Sequence, residues 1–336
     1  MDMTSLAHTL PLAFMAIMGL ALLAYVVLDG YDLGVGILLP LATDAEKDVM
    51  VSSIGPFWDA NETWLVLGVG VLLICFPLAH GVVLSALYLP VAAMLIGLTV
   101  RGVAFDFRVK ARDAHKAAWN RLFAAGSLVA TLAQGWMLGA YVTGFQADTW
   151  ARLFCAGIAL MLPAAYTMLG VGWLLMKTSG DLQRKAARWG RGVLWPMAGA
   201  LAGISLATPL VSRTVFDKWF LLPELFVLLP IPLACVGAFL AIRHVLDTPR
   251  AVQAGYGWIV FAATVLIFLL AFFGLAYSLY PYIVIDRLTV WQAASAPESL
   301  AVIGVGVAVT LPAIIAYTVF MYRVFWGKAQ PLAYGL

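Results

Sequence analysis

The sequence predicts an all-α polytopic membrane protein, on three observations. Its 336 residues are 63% hydrophobic and 11% charged, whereas a soluble domain carries about 25% charged residues. The apolar runs are continuous and supply the ~20 residues that a bilayer-spanning helix needs; a β-barrel would show short alternating segments instead. The basic residues fall mainly in alternate connections, as they do on the two sides of a membrane.

Apolar windows between charged or Pro/Gly-rich breaks give nine helices, expected over residues 10–32, 56–76, 80–101, 121–144, 152–176, 191–212, 222–243, 256–280 and 300–323. The first ends among acids and glycines. The second opens on Pro56, which suits the first turn of a helix. The third ends at Arg101, the ninth at Arg323, and the connection between Pro281 and Glu298 is the longest. The segment "MDMTSLAHTL" lacks the basic region of a cleaved signal peptide, so the first helix is expected to remain in the mature chain.

Counting Lys and Arg in alternate connections gives sixteen against four, the minority being Arg152, Arg213, Lys218 and Arg287. That asymmetry predicts an outer N-terminus, a cytoplasmic C-terminus and an odd number of spans. The net charge of +3 reports topology, and no nucleic-acid partner is expected. Cys75, Cys155 and Cys235 stand singly in apolar sequence, which suggests packing and neither a disulfide framework nor a metal cluster. Gly135-x-x-x-Gly139 and Gly199-x-x-x-Gly203 have the spacing that lets helices approach closely.

Polar residues collect in the first three helices. "VVLDGYDLGVGILLP" places Asp29 and Asp32 three apart, on one helical face. "GPFWDANETW" places Asp59 and Glu62 at the same spacing, and "TVRGVAFDFR" supplies Arg101. In the expected topology all five lie toward the cytoplasmic face. Acids inside a membrane cost roughly 2.5–3.5 kcal/mol each at a helix centre. Desolvation and a neighbouring arginine pull a carboxyl's proton affinity in opposite directions, a balance that suits proton exchange. The functional reading is a cytoplasmic proton-entry path with Asp29, Asp32 and Asp59 as carriers and Arg101 setting the charge balance.

Plainer readings stand beside it. Asp59 and Glu62 could be helix-start charges favoured by the dipole. Arg101 could open a basic loop and reach to lipid headgroups. Gly30, Gly34 and Gly36 could form a flexible exit that leaves Asp29 and Asp32 at the interface, and Asp44, Glu46 and Asp48 read as a solvated turn. Of the four histidines, His8, His115 and His244 fall near termini or in connections, and His80 lies at the outer junction of helices two and three. No nucleotide-binding fingerprint or HExxH motif occurs. The chain by itself is poorly equipped for redox chemistry.

"LDGYDLGVGILLP", "IGPFWDANETWLVLGVGVLLICFP" and "RGVAFDFR", in that order, resemble subunit II of the cytochrome bd-type quinol oxidases, with the short length nearest the cyanide-insensitive branch. The match is densest over residues 20–110. Ala60 departs from the glycine common in the family's "WD" motif. The resemblance implies two four-helix bundles and a peripheral helix, placed here at residues 1–146, 147–281 and 282–336. It implies a respiratory oxidase in the bacterial inner membrane that oxidises quinol and reduces dioxygen to water. Haem b and haem d would sit in a partner, subunit I, and small accessory subunits, lipids and a bound quinone can accompany it. The family's proton route maps onto Asp32 and Asp59, with Arg101 at its basic position; Asp29 and Glu62 rest on spacing. No residue of this chain is assigned to haem, metal or quinone. The alternatives are a proton-coupled secondary transporter, for which no paired inverted repeat is found, and a purely structural scaffold for the haem subunit.

Overall fold

The computed structural model describes residues 3–211, 213–220, 226 and 228–329. Among them, nine helices are long and apolar enough to cross a membrane. In chain order the helices are α1 (Met3–Leu38), α2 (Asp44–Ile54), α3 (Trp58–Cys75), α4 (Pro77–Lys110), α5 (Asp113–Val142), α6 (Thr149–Lys177), α7 (Gly180–Val211), α8 (Arg213–Phe220), α9 (Pro230–Asp247), α10 (Trp258–Leu279) and α11 (Pro297–Val324). The short α2 and α8 are additional to the nine. The start of the expected helix at 222 and the tail beyond 329 lie outside the described residues. Between α10 and α11 a two-stranded antiparallel hairpin, Tyr282–Val284 with Leu288–Thr289, leads into a single helical turn.

Local chemistry sets several boundaries. Asp148 caps α6 by accepting from the backbone of Trp150 at 2.9 Å and Ala151 at 3.0 Å. Pro77 opens α4, where its missing N–H costs nothing. Glu46 accepts from both the amide and the hydroxyl of Thr43 at the start of α2. Lys185 of α7 donates to the same carboxylate at 2.8 Å. That lysine and the Thr43 amide hold the Glu46 carboxyl down at about 2.

Helix α1 runs through the middle of the molecule, with Tyr31, Leu33 and Val35 fully buried. It packs on α3, α5 and α6, and α4, α5, α6 and α7 pack successively on one another. The α1–α6 crossing is very close: a Cβ on Gly34 would fall 1.9 Å from the Tyr166 carbonyl oxygen, and one on Gly170 2.6 Å from the Gly34 carbonyl carbon. A second glycine pair, Gly97 and Gly126, lets α4 and α5 touch backbone to backbone beside Arg101. Gly135 and Gly139 bring α5 within reach of the Ala159 and Cys155 Cα atoms. Gly199-x-x-x-Gly203 does no such work: Gly199 has open space, and Gly203 faces the end of the Met161 side chain. Helix α11 lies at the periphery, with Leu300 its one fully buried side chain. The three cysteines are free and buried.

Four expectations need correction. The glycines of α1 are not a flexible exit, because the helix continues to Leu38 and its glycines are the packing surface for α6 and α5. Asp44, Glu46 and Asp48 lie on the helix α2 and not on a turn; Asp44 and Asp48 are solvent-exposed, and Asp48 pairs with Arg108 at 2.7 Å. Arg101 does not open a loop, because α4 continues nine residues further, and its guanidinium is buried. Pro56 sits in the turn before α3, which begins at Trp58.

Candidate functional site

The first three spans and α5 meet around a buried polar cluster. Asp29 and Asp32 are 0% exposed and Arg101 is 1% exposed. One guanidinium nitrogen of Arg101, Nη1, lies 2.6 Å from Asp29 Oδ1. The other, Nη2, donates to Glu62 Oε1. Arg101 thus joins a fully buried acid on α1 to a partly exposed one on α3. The contact to Asp29 is a charge pair without hydrogen-bond angles: neither Asp29 oxygen has a well-formed donor, and the Tyr25 hydroxyl stands beside it. Tyr25 in turn accepts from Gln134 Nε2 at 2.8 Å, and Tyr166 donates to Gln134 Oε1 at 2.6 Å.

Asp32 belongs to a different set of partners. Its Oδ2 accepts from Asn61 Nδ2 at 2.8 Å, while its Oδ1 is buried without a hydrogen bond. Asn61 also contacts the Tyr31 hydroxyl at 2.9 Å and the Leu28 carbonyl oxygen at 3.2 Å. Tyr322, from the peripheral helix α11, donates to Asn61 Oδ1 at 3.2 Å and lies 2.7 Å from the Tyr31 hydroxyl oxygen. The spacing of Asp29 and Asp32 does place them on one side of α1, yet each engages its own network.

Asp59 is exposed, and among the described residues Arg101 pairs with Asp29 and Glu62, not with Asp59. With Glu62, Trp58, Val66, Thr99 and Gly102 it lines a groove of about 350 Å³ between α3 and α4. The groove brings the surface to within one side chain, Glu62, of the buried guanidinium. Of the five residues singled out from sequence, the structure therefore brings Asp29, Glu62 and Arg101 into contact, sets Asp32 beside them in a neighbouring network, and leaves Asp59 at the groove. Three carboxyls face one guanidinium. Fully ionised, that is a formal excess of negative charge in a dry region, which is costly unless protons or further donors offset it. The arrangement can hold and exchange protons.

Asn61, Gln134, Tyr25, Tyr31, Tyr166 and Tyr322 were missed by the sequence reading. Asn61 and Tyr31 lie inside the quoted motifs, and Gln134 is a lone amide in an apolar run, a signal that could have flagged it. Nothing local in the sequence marks Tyr322.

The profile of the family described as cytochrome bd terminal oxidase subunit II matches residues 10–325. The chain is 27% identical over 330 residues to the cytochrome bd ubiquinol oxidase subunit 2 of Bacillus subtilis (strain 168), covering 91% of this chain and 94% of that one. It is 26% identical over 358 residues to the cytochrome bd-I ubiquinol oxidase subunit 2 of Escherichia coli (strain K12), covering 93% of each. A solved chain of the bd oxidase from Geobacillus thermodenitrificans superimposes with a TM-score of 0.72 at 18% identity, over 94% of this chain and 99% of that one, a likeness of fold.

Proposed function

This chain belongs to the cytochrome bd terminal oxidase subunit II family, and from that premise we propose that it delivers cytoplasmic protons toward haem chemistry in a partner chain. It is a subunit of a membrane-bound quinol oxidase, an oxidoreductase complex. In the reading proposed here it pairs with a haem-bearing subunit I, with lipid, accessory subunits and a bound quinone as further associates. The haems are assigned to the partner. Haem iron takes His, Met, Cys or Tyr as axial ligand, and here His8, His115 and His244 are exposed while His80 is half-buried. Among the described residues no pair of buried histidines is present to clamp a haem, which accords with placing the haems in the partner.

The observation that carries the reading is the Arg101 bridge between buried Asp29 and groove-facing Glu62. Protons enter the groove at Asp59 and Glu62, and Asp29 and Asp32 hold them inside. Arg101 keeps the carboxyls from accumulating unopposed charge. Glu62 links water-accessible and buried groups, and α1, α3 and α4 fix the spacing.

Asp32→Asn and Asp59→Asn, made in the assembled complex, test this. The visible haem bands and the partner subunit should be retained while quinol oxidase turnover falls, by roughly 10²–10⁴-fold for the buried Asp32, the range that a positioned proton-transfer group contributes, and by less for the exposed Asp59. Normal turnover in both variants, with haem content intact, would leave the chain a scaffold.

A further inference from the structure

The hydroxyls of Tyr31 and Tyr322 and the amide of Asn61 sit at mutual hydrogen-bond distances, 2.9 Å for Asn61 Nδ2 to Tyr31, 2.7 Å for Tyr31 to Tyr322 and 3.2 Å for Tyr322 to Asn61 Oδ1. Donor arithmetic leaves one way to connect them. An amide oxygen has no proton, so Tyr322 donates to Asn61 Oδ1. Its single proton is then committed, so Tyr31 donates to Tyr322. The proton of Tyr31 is then committed as well, so its oxygen accepts from Asn61 Nδ2. The three groups form a closed, one-directional ring of hydrogen bonds, an arrangement in which each bond polarises the next.

Two consequences follow for Asp32. The ring fixes which end of the Asn61 amide faces α1, and its second N–H has Asp32 Oδ2 at 2.8 Å, nearer than the Leu28 carbonyl oxygen at 3.2 Å. Both tyrosyl protons are used inside the ring, so neither tyrosine donates to the carboxylate. Asp32 Oδ1 is the oxygen left without a partner, buried and unhindered by any bond. The aromatic rings are held by their neighbours: Tyr31 stacks on Trp173 with centroids 4.0 Å apart, and Tyr322 packs at a tilt against Phe57 at 4.7 Å.

We propose that Asn61, Tyr31 and Tyr322 are positioning residues that pin one oxygen of Asp32 and reserve the other, Oδ1, for proton exchange, with the peripheral helix supplying the hydroxyl that closes the ring. The inference rests on the proton-delivery reading above. It gives α11, otherwise an exposed peripheral helix, a role in the chemistry of a site formed by α1 and α3.

The test uses the complete oxidase complex carrying Tyr322→Phe, Tyr31→Phe, both together, or Asp32→Asn. Tyr322→Phe keeps the aromatic contacts with Phe57 and Trp173 and removes one hydroxyl on a half-buried side chain, so assembly and haem bands should persist. Each single tyrosine variant should lower kcat by about 2–10-fold, the worth of one ordinary hydrogen bond. KM for quinol should stay within about twofold, and the pH–kcat profile should be displaced by roughly 0.3–1 unit, the same factor expressed as pH. The double variant should match the singles, because opening the ring once already disconnects it. In infrared difference spectra the carboxyl band that Asp32→Asn removes should shift in Tyr322→Phe. Unchanged kcat, pH profile and carboxyl band in Tyr322→Phe, with Asp32→Asn slow, would overturn the positioning role alone. Losses that multiply in the double variant would overturn the ring. Normal turnover in Asp32→Asn would remove the reading beneath both.

Discussion

At the scale of single residues, Arg101 decides the energetics of the cluster. A guanidinium that is 1% exposed has given up its hydration and is held by the two carboxylates it touches. Breaking a buried pair by removing one partner costs roughly 3–5 kcal/mol, because the other charge is left uncompensated. Arg101→Met should therefore reduce the amount of haem-bearing complex that survives solubilisation and lower its melting temperature. Adding Asp29→Asn to it should restore much of that loss, since the carboxylate that Arg101 touches on α1 is then gone and Asp32 keeps its Asn61 donor, while turnover stays low. Failure of the second substitution to restore anything would mean that Glu62 or Asp32, and not Asp29, is the partner that matters. The sequence marked Arg101, Asp29, Asp32, Asp59 and Glu62 because charge stands out in an apolar chain. It could not assign Arg101 its partners, since headgroup contact and burial look alike when the end of α4 is unknown. Asn61 escaped for a different reason: an amide carries no charge, although it lies between two of the acids singled out.

At the scale of elements, the site depends on how closely the helices that bear it can pack. Gly34 is where α1 crosses α6, and any Cβ there meets the Tyr166 carbonyl oxygen at 1.9 Å, which is backbone and cannot rotate away. Gly34→Ala should force α1 outward and cost about 1–3 kcal/mol or more, as overpacking does. Gly70 of α3 has nothing within 4 Å, so Gly70→Ala should be neutral or stabilising by up to about 1 kcal/mol through helix propensity. Melting curves of the two purified complexes separate these outcomes, and equal melting temperatures would refute the close crossing. The spans themselves were legible because lipid demands long apolar helices, but their ends were not. The third helix is expected to end at Arg101, whereas α4 runs on to Lys110 and its Arg108 is partnered by Asp48 and Asn120. Helix α2 was missed because a hydropathy window does not register an 11-residue polar helix, although Thr43-x-x-Glu46 is a helix-start signature. Gly199-x-x-x-Gly203 shows the opposite failure, a spacing without a partner.

At the scale of the whole molecule, the sequence could count the spans but not arrange them. Lipid-facing and helix-facing surfaces in a membrane are equally apolar, so hydropathy does not tell which helices are neighbours. What it does offer is direction, and the structure adds a depth to it. Asp32 lies six residues before the end of α1, Glu62 four after the start of α3, and Arg101 nine before the end of α4, or about 6–14 Å from those ends at 1.5 Å per residue. The same ends carry the Glu46–Lys185 and Asp48–Arg108 pairs, members of the basic majority that the positive-inside rule assigns to the cytoplasm. We therefore expect the cluster in the cytoplasmic half, with Asp181 on the cytoplasmic side and Glu298 on the outer side. Single cysteines at these two exposed positions, in a chain whose three native cysteines are replaced, report this directly. A membrane-impermeant maleimide applied to intact cells should label Glu298→Cys at once and Asp181→Cys only after the membrane is opened. The reverse pattern would place the groove of Asp59 and Glu62 toward the outer side, where it would draw protons from the wrong compartment, and would end the uptake reading even if every contact around Arg101 were as described.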